Sequence, residues 1–245
     1  MNELQHLAEF QSVLKDYQLS DAAKQTLAQT KLVVLVGPTS SGRNTIIAEL
    51  LKTGEYAHIV SDTTRKIREK DGVPIEQNGR EYWFRNEDDV LADLKNGEYM
   101  EMAVIHNQQA SGCSIRELEK AHKANKIAIK DIEPNGAQTV HDLKPDTIVV
   151  FVTPPNFDDW MNRLRGRGAL PEDEIRRRLE SAPKEFAMAL SHDYYTFVLN
   201  DNLEHAVTDI HAIVTTGYYD PAKKERARQV VERLHQDTQN YLASA

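Results

Sequence analysis

The chain has 245 residues, a formal net charge of −8 and one cysteine. That length allows one large domain, or a domain with a lid and extensions, and a core that needs no disulfide staples. Its acidic balance argues against a nucleic-acid backbone as partner. Cys113 alone excludes an intrachain disulfide and points to a reducing compartment. The first residues, Met1-Asn-Glu-Leu-Gln-His, have neither the basic nor the apolar region of a secretory signal. No apolar run approaches the ~20 residues that span a bilayer. A cytoplasmic chain with no membrane or nucleic-acid partner is expected.

Residues 1–30 read as a helical extension. Leu4, Leu7, Phe10, Val13, Leu14 and Tyr17 recur at helical spacing, and Ser20 or Asp21 caps a second short helix. Leu32 to Val36 is a β-branched, apolar strand, and Ile46 to Leu51 is helical. Ala57 to Val60 is the next strand. Asp71-Gly72 and Asn78-Gly79 signal turns, with a short strand at Glu81 to Phe84. Glu87 to Asn96 is a helix closed by Gly97, and Tyr99 to Ile105 a strand. A helix over Ser114 to Asn125, a strand over Lys126 to Ile132 and a helix over Ala137 to Leu143 follow. Thr147 to Val152 is a buried strand ending at Pro154-Pro155. Asp158 to Arg165 is helical, and Pro171 to Leu190 reads as one long arginine-rich helix. Phe197 to Leu199 is the last strand and Leu203 to Thr216 a helix. After Gly217, a final helix runs from Pro221 to about Tyr241. Strands alternating with helices indicate an α/β fold, a parallel sheet with helices on both faces. Gly37, Ser61, Asp131 and Pro154 each follow an apolar strand, where such sheets bind ligands.

The most informative stretch is Lys31-Leu-Val-Val-Leu-Val-Gly-Pro-Thr-Ser-Ser-Gly-Arg-Asn-Thr45. A strand, a glycine-bounded loop and a helix form a cradle for phosphates. The glycines let the backbone curl around an oxyanion, and the helix N-terminus points at it. The pattern is nearly GxxxxGK[ST], but Arg43 stands in place of Lys and Asn44 in place of Ser or Thr. Two basic clusters, Arg65-Lys66-Ile67-Arg68 and the six arginines from Arg163 to Arg178, suit a small polyphosphate.

Other motifs follow in order: Ser61-Asp-Thr-Thr-Arg-Lys-Ile-Arg68, Gly79-Arg-Glu-Tyr-Trp-Phe84 and Asn96-Gly-Glu-Tyr-Met-Glu101. Then come Asp131-Ile-Glu-Pro-Asn-Gly-Ala137, Arg163-Leu-Arg-Gly-Arg-Gly168 with Arg178-Leu179, and Asn200-Asp201. Together with the loop they resemble the guanylate kinase family, from about Lys31 to about Ala206. The resemblance implies a P-loop NTPase-type parallel sheet in a domain over 31–216. Within it lie an acceptor (GMP-binding) subdomain at about 61–113 and a lid at about 163–178. Helical extensions occupy 1–30 and 217–245. It implies transfer of the ATP γ-phosphoryl to GMP or dGMP, with Mg2+ carried by ATP and no direct protein ligand to the metal.

By the same resemblance, Gly37, Pro38, Thr39, Ser40, Ser41, Gly42, Arg43, Asn44 and Thr45 bind ATP, and Asn200 contacts its adenine. Arg43, Arg163, Arg167 and Arg178 are the catalytic arginines, the last three from a lid hinged at Gly166 and Gly168. Arg65 and Arg68, three apart, can clamp an acceptor phosphate through forked donors, with Tyr82 adding a hydroxyl. Glu101 reads guanine, whose N1–H and N2–H2 are adjacent donors. Adenine would set its N1 lone pair against the carboxylate. Ser61 donates to guanine O6, and Asp131 lies near the acceptor and the Mg2+ water shell.

The pattern breaks in places. Beyond Arg43 and Asn44, the family's Y-G-[ST]-S is Ser111-Gly-Cys-Ser114 here. Cys113 therefore replaces a base-reading hydroxyl with a weaker donor, and Ser111 replaces a phosphate-binding tyrosine. Glu133 replaces an aspartate, and the loop from Glu69 to Asn78 is about five residues longer than the family pattern. Two alternatives stay open on the sequence. One is a non-catalytic phosphopeptide- or nucleotide-binding module, motivated by Arg43. The other is a kinase with another acceptor such as ribose 1,5-bisphosphate, motivated by Ser111 and Cys113. The last helix carries Val230, Val231, Leu234, Tyr241 and Leu242, which would pack on the core or pair two copies in a homodimer.

Overall fold

The structure, a computed structural model, describes residues 3–166 and 172–244. Helices α1 (Leu7–Lys15) and α2 (Asp21–Gln29) lead into strand β1 (Leu32–Val36) and helix α3 (Arg43–Lys52). Short strands follow: β2 (Tyr56–His58), β3 (Asp62–Thr63), β4 (Glu69–Lys70), β5 (Val73–Pro74) and β6 (Trp83–Phe84). Then come α4 (Glu87–Lys95), β7 (Tyr99–Ile105), β8 (Gln109–Ser114), α5 (Ile115–Lys123), β9 (Ile127–Asp131), α6 (Pro134–Leu143) and β10 (Ile148–Thr153). The rest is α7 (Phe157–Arg165), α8 (Glu172–Glu180), α9 (Ala182–Ser191), β11 (Tyr195–Leu199), α10 (Leu203–Thr216) and α11 (Pro221–Ser244). The backbone divides into two compact units, Met1–Lys31 with Tyr56–Ala128 and Leu32–Glu55 with Ile129–Ala245.

The second unit is built on a parallel sheet in which β11, β10, β1 and β9 are successive neighbours. β1 runs parallel to β10 and β10 parallel to β11. All five residues of β1 are buried, as expected of a strand covered on both faces. Helix α3 packs with α10, and α9 packs with α6, α8 and α11. Gly37, Ile132 and Pro154 directly follow β1, β9 and β10, so their loops leave the sheet's C-terminal edge.

The first unit holds a four-stranded sheet of order β6-β3-β8-β7. β8 is antiparallel to both β3 and β7, and β6 is parallel to β3. The N-terminal helices belong to this unit: Leu4 and Phe10 share a core with Val90, Leu91, Leu94, Tyr99 and Ala110. Ser20 caps α2, its hydroxyl accepting from Ala23 N at 3.1 Å.

One expectation is corrected, and one strand is present that the sequence pattern does not signal. The single helix expected over Pro171 to Leu190 is two, α8 and α9, with Pro171 outside the described residues. Pro183 lies in the first turn of α9. It has no N–H and would clash with a carbonyl one turn back in an unbroken helix, so the chain restarts there. The stretch before Ser114 is the strand β8, which pairs with β7 along its length. Its sequence, Gln-Ala-Ser-Gly-Cys-Ser, lacks the β-branched alternation that signals a strand.

Candidate active site

In the second unit the loop between β1 and α3 has three left-handed residues: Gly37 at φ 144°, Ser40 at φ 66° and Gly42 at φ 102°. A Cβ on Gly37 would overlap Val152 O, and one on Gly42 would overlap Asn200 Nδ2. Both glycines are therefore required by space as well as by φ. The loop is braced from two sides. Trp160 Nε1 donates to Thr39 O at 2.7 Å, and Asn200 Nδ2 donates to Ser41 O at 2.8 Å. Asn200 N donates to Thr153 O at 2.8 Å. Arg163 Nη2 donates to Asn200 O at 2.8 Å. Asn200 is thus buried against the loop that it supports.

Ser40 Oγ and Ser41 Oγ are buried with no hydrogen-bond partner among the described residues. Buried hydroxyls without partners are costly. Gly42 is the N-cap of α3 and provides no side-chain cap, so the first N–H groups of the helix also face the curl. Pro38 is buried, whereas Asn44 and Thr45 are exposed on the first turn of α3. Arg43 begins that helix, with Nη1 donating to Ile132 O at 3.4 Å. Its charge also acts on Glu185 of α9. Burial pushes the Glu185 carboxyl up from its ordinary 4.5, opposed by the Ser181 hydroxyl and by Arg43 and reinforced by Glu133.

In the first unit, Arg65 and Arg68 follow β3. The Arg65 guanidinium lies over the rings of Tyr82 and Phe84, at 5.0 and 5.3 Å from their centroids. Arg65 Nη1 and Nη2 each donate to Glu76 at 2.6 Å, a bidentate pair. Arg68 is exposed, and its backbone N donates to Glu76 Oε2 at 2.9 Å. The strand before the clamp is anchored by Asp62, which is fully buried. It accepts from Arg85 at 2.9 Å, Arg116 at 2.7 Å and Tyr99 Oη at 2.7 Å.

Strand pairing sets which side chains share a face. Asp62 is opposite Gly112, and Thr63 is opposite Ser111. On β7, Tyr99 pairs with Ser114 but Glu101 pairs with Cys113, so Met100 is an extra residue in the ladder. Without it, Glu101 would share Tyr99's face. The bulge turns Glu101 to the other side, with Cys113, Ser111 and Thr63. Ser111 Oγ donates to Thr63 Oγ1 at 2.7 Å. Ser61, two residues before Thr63, belongs to that face too. The residues expected to read the base thus lie on one face of one sheet: Ser61, Glu101 and the buried Cys113.

The guanylate kinase family model matches residues 29–216. The chain belongs to the guanylate kinase family. A guanylate kinase of Corynebacterium diphtheriae is 36% identical over 186 residues, which is 75% of this chain and 94% of the relative. One of Thermotoga maritima is 31% identical over 213 residues, 86% and 97% of the two chains. The crystal structure of a guanylate kinase from Anaplasma phagocytophilum shares the fold at TM-score 0.56 and 22% identity. It covers 79% of this chain and 89% of that one.

Asp131 ends β9 and is partly exposed. Arg178 lies on α8, its Nε donating to Glu174 Oε1 at 2.9 Å one turn earlier. Arg167 falls outside the described residues. Glu76, Glu185 and Trp160 escaped the sequence reading. The signal for Glu76 was an acid eleven residues after Arg65 in an unpatterned loop, which only tertiary structure makes meaningful. No helix among the described residues is long and apolar enough to cross a membrane.

Proposed function

We propose that this chain transfers the γ-phosphoryl of ATP to GMP or dGMP, giving ADP and GDP or dGDP. The observation that carries the reading is the phosphate loop of a guanylate kinase family member, its two buried serine hydroxyls without a hydrogen-bond partner among the described residues. The loop amides and the Ser40 and Ser41 hydroxyls hold the ATP phosphates, with Arg43 as the loop's cation. Arg is planar and longer than Lys, so it reaches the phosphates by a fork rather than a point charge. Arg65, Arg68 and Tyr82 hold the acceptor phosphate. Glu101 accepts from guanine N1–H and N2–H2, with Ser61 and the Cys113 thiol beside it. Asn200 and Trp160 keep the loop in its curl. Arg163, Arg167 and Arg178 neutralise charge on the transferred group, a reaction that needs positioning and electrostatics more than covalent help. Asp131 would face the water shell of a Mg2+ carried by ATP, with no direct protein ligand to the ion. When bound, that ion would supply charge neutralisation at the phosphates. The single cysteine suits a reducing compartment such as the cytoplasm.

The test is Glu101→Gln. An amide presents a donor to one guanine N–H, so kcat/KM for GMP falls about 100-fold or more while ATP binding is kept. Equal use of GMP by the variant and the parent would remove Glu101 from base recognition.

A further inference from the structure

The last turn of α11, residues 241–244, carries no basic residue, and its final carbonyls have no backbone partner within the helix. Arg176 of α8 supplies the charge from outside, with Nη2 donating to Leu242 O at 2.9 Å. One turn earlier on α8, Glu172 Oε1 accepts from Tyr241 Oη at 2.8 Å and from Arg165 Nη2 at 3.4 Å. Residues four apart lie on one side of a helix, so α11 holds the row of Glu172 and Arg176. Arg178 and Glu174 form the row on the other flank of the buried Ile175 and Leu179. The Tyr241 ring has a second neighbour. It lies 5.5 Å from the ring of Phe157 on α7, which meets Trp160 edge-on at 6.1 Å. Trp160 Nε1 donates to Thr39 O of the phosphate loop. One residue of α11 therefore touches both the helix that carries Arg178 and the ring pair that braces the loop.

We infer that Tyr241 is a positioning residue for phosphoryl transfer: by joining α8 to the Phe157–Trp160 pair, it fixes Arg178 relative to the phosphate loop. The role rests on the phosphoryl-transfer reading, in which Arg178 neutralises the transferred group. Charge stabilisation of this kind depends on donors held in place before the reaction. A small displacement of α8 therefore weakens it without weakening the binding of either nucleotide. α11 lies wholly beyond the family match, which ends at residue 216, so this anchor is an addition to the domain. Packing alone needs only an apolar stripe, which Ala227, Val231 and Leu234 already provide. The polar contacts of the last turn go to α8 instead.

The experiment compares the wild type with Tyr241→Ala, Arg178→Gln and the double variant, by steady-state ADP release with GMP and by amide hydrogen exchange without nucleotide. Tyr241→Ala is expected to lower kcat about 5- to 10-fold, the weight of one hydrogen bond with its ring contact. KM for GMP and for ATP should stay within about twofold, and Tm within about 4 °C. Exchange at 176–180 should quicken about 5- to 10-fold, while β1 and α3 keep their wild-type rates. In the Arg178→Gln background the same change should lower kcat by less than about twofold, since the group being positioned is gone. An unchanged kcat in Tyr241→Ala would overturn the proposal, as would an equal loss in the Arg178→Gln background. A parallel rise in both KM values with a larger fall in Tm would show a merely structural role and overturn it too. If the wild type turns over no GMP, the phosphoryl-transfer reading fails, and the role of Tyr241 in transfer fails with it. The anchoring of α8 is then decided by exchange, where equal rates in the wild type and Tyr241→Ala would overturn it.

Discussion

Glu185 and Glu76 are both carboxylates set near an arginine, yet burial pushes the first up and Arg65 pulls the second down to about 2. The consequences for stability run in opposite directions. Glu185 in the native chain holds its proton more readily than in the unfolded chain. Stability therefore falls as pH rises from the ordinary 4.5 through its raised value. Glu185→Gln is expected to melt at a higher temperature than the parent at pH 7, the gap closing below about pH 4.5. A lower Tm at pH 7 would show that attraction to Arg43 outweighs the cost of burial. The stabilisation from Glu76 is present above 4.5 and lost as pH falls towards about 2. At this scale much of the site is legible in the sequence. Arg65, Arg68 and the loop glycines are spaced by local geometry, which sequence preserves. The face occupied by Glu101 is not legible, because it depends on one extra residue in a ladder whose partner strand carries no strand pattern.

Among the elements, α11 lies beyond the end of the family match at residue 216. It packs against α9, α8, α7, β10 and β11 of its own unit. Ala227, Val231, Leu234 and Thr238 form its buried stripe, at the spacing that the sequence pattern gave for Val231 and Leu234. Leu234 is 1% exposed, so Leu234→Ala should cost about 2–5 kcal/mol in urea unfolding. KM for both nucleotides should not change. A loss below about 0.5 kcal/mol would mean that the helix is not part of the cooperative core. The long helix read across Pro183 shows how an arginine-rich, helix-favouring composition can hide a break whose cause is a single missing N–H. The hairpin β7–β8 was hidden for another reason. Its turn places His106 and Asn107 at φ 51° and 58° with no glycine to mark it.

For the molecule as a whole, alternation of strands and helices was enough to give the parallel sheet and its ligand edge. The composition of the first unit was not, because residues 1–31 join 56–128 only through contacts such as those of Leu4 and Phe10 with α4 and β7. Each unit carries one half of the proposed chemistry, the phosphate loop in one and the arginine clamp with the base-reading face in the other. We propose that both serve transfer from ATP to a guanine monophosphate despite Arg43. It is tested most directly by ADP release from ATP and Mg2+ with GMP, dGMP, AMP, CMP and UMP in separate reactions, for the wild type and Arg43→Lys. Wild-type turnover is expected with GMP and dGMP, and none above background with the other three. No GMP-dependent ADP release from the wild type would contradict it, whether or not Arg43→Lys restores activity.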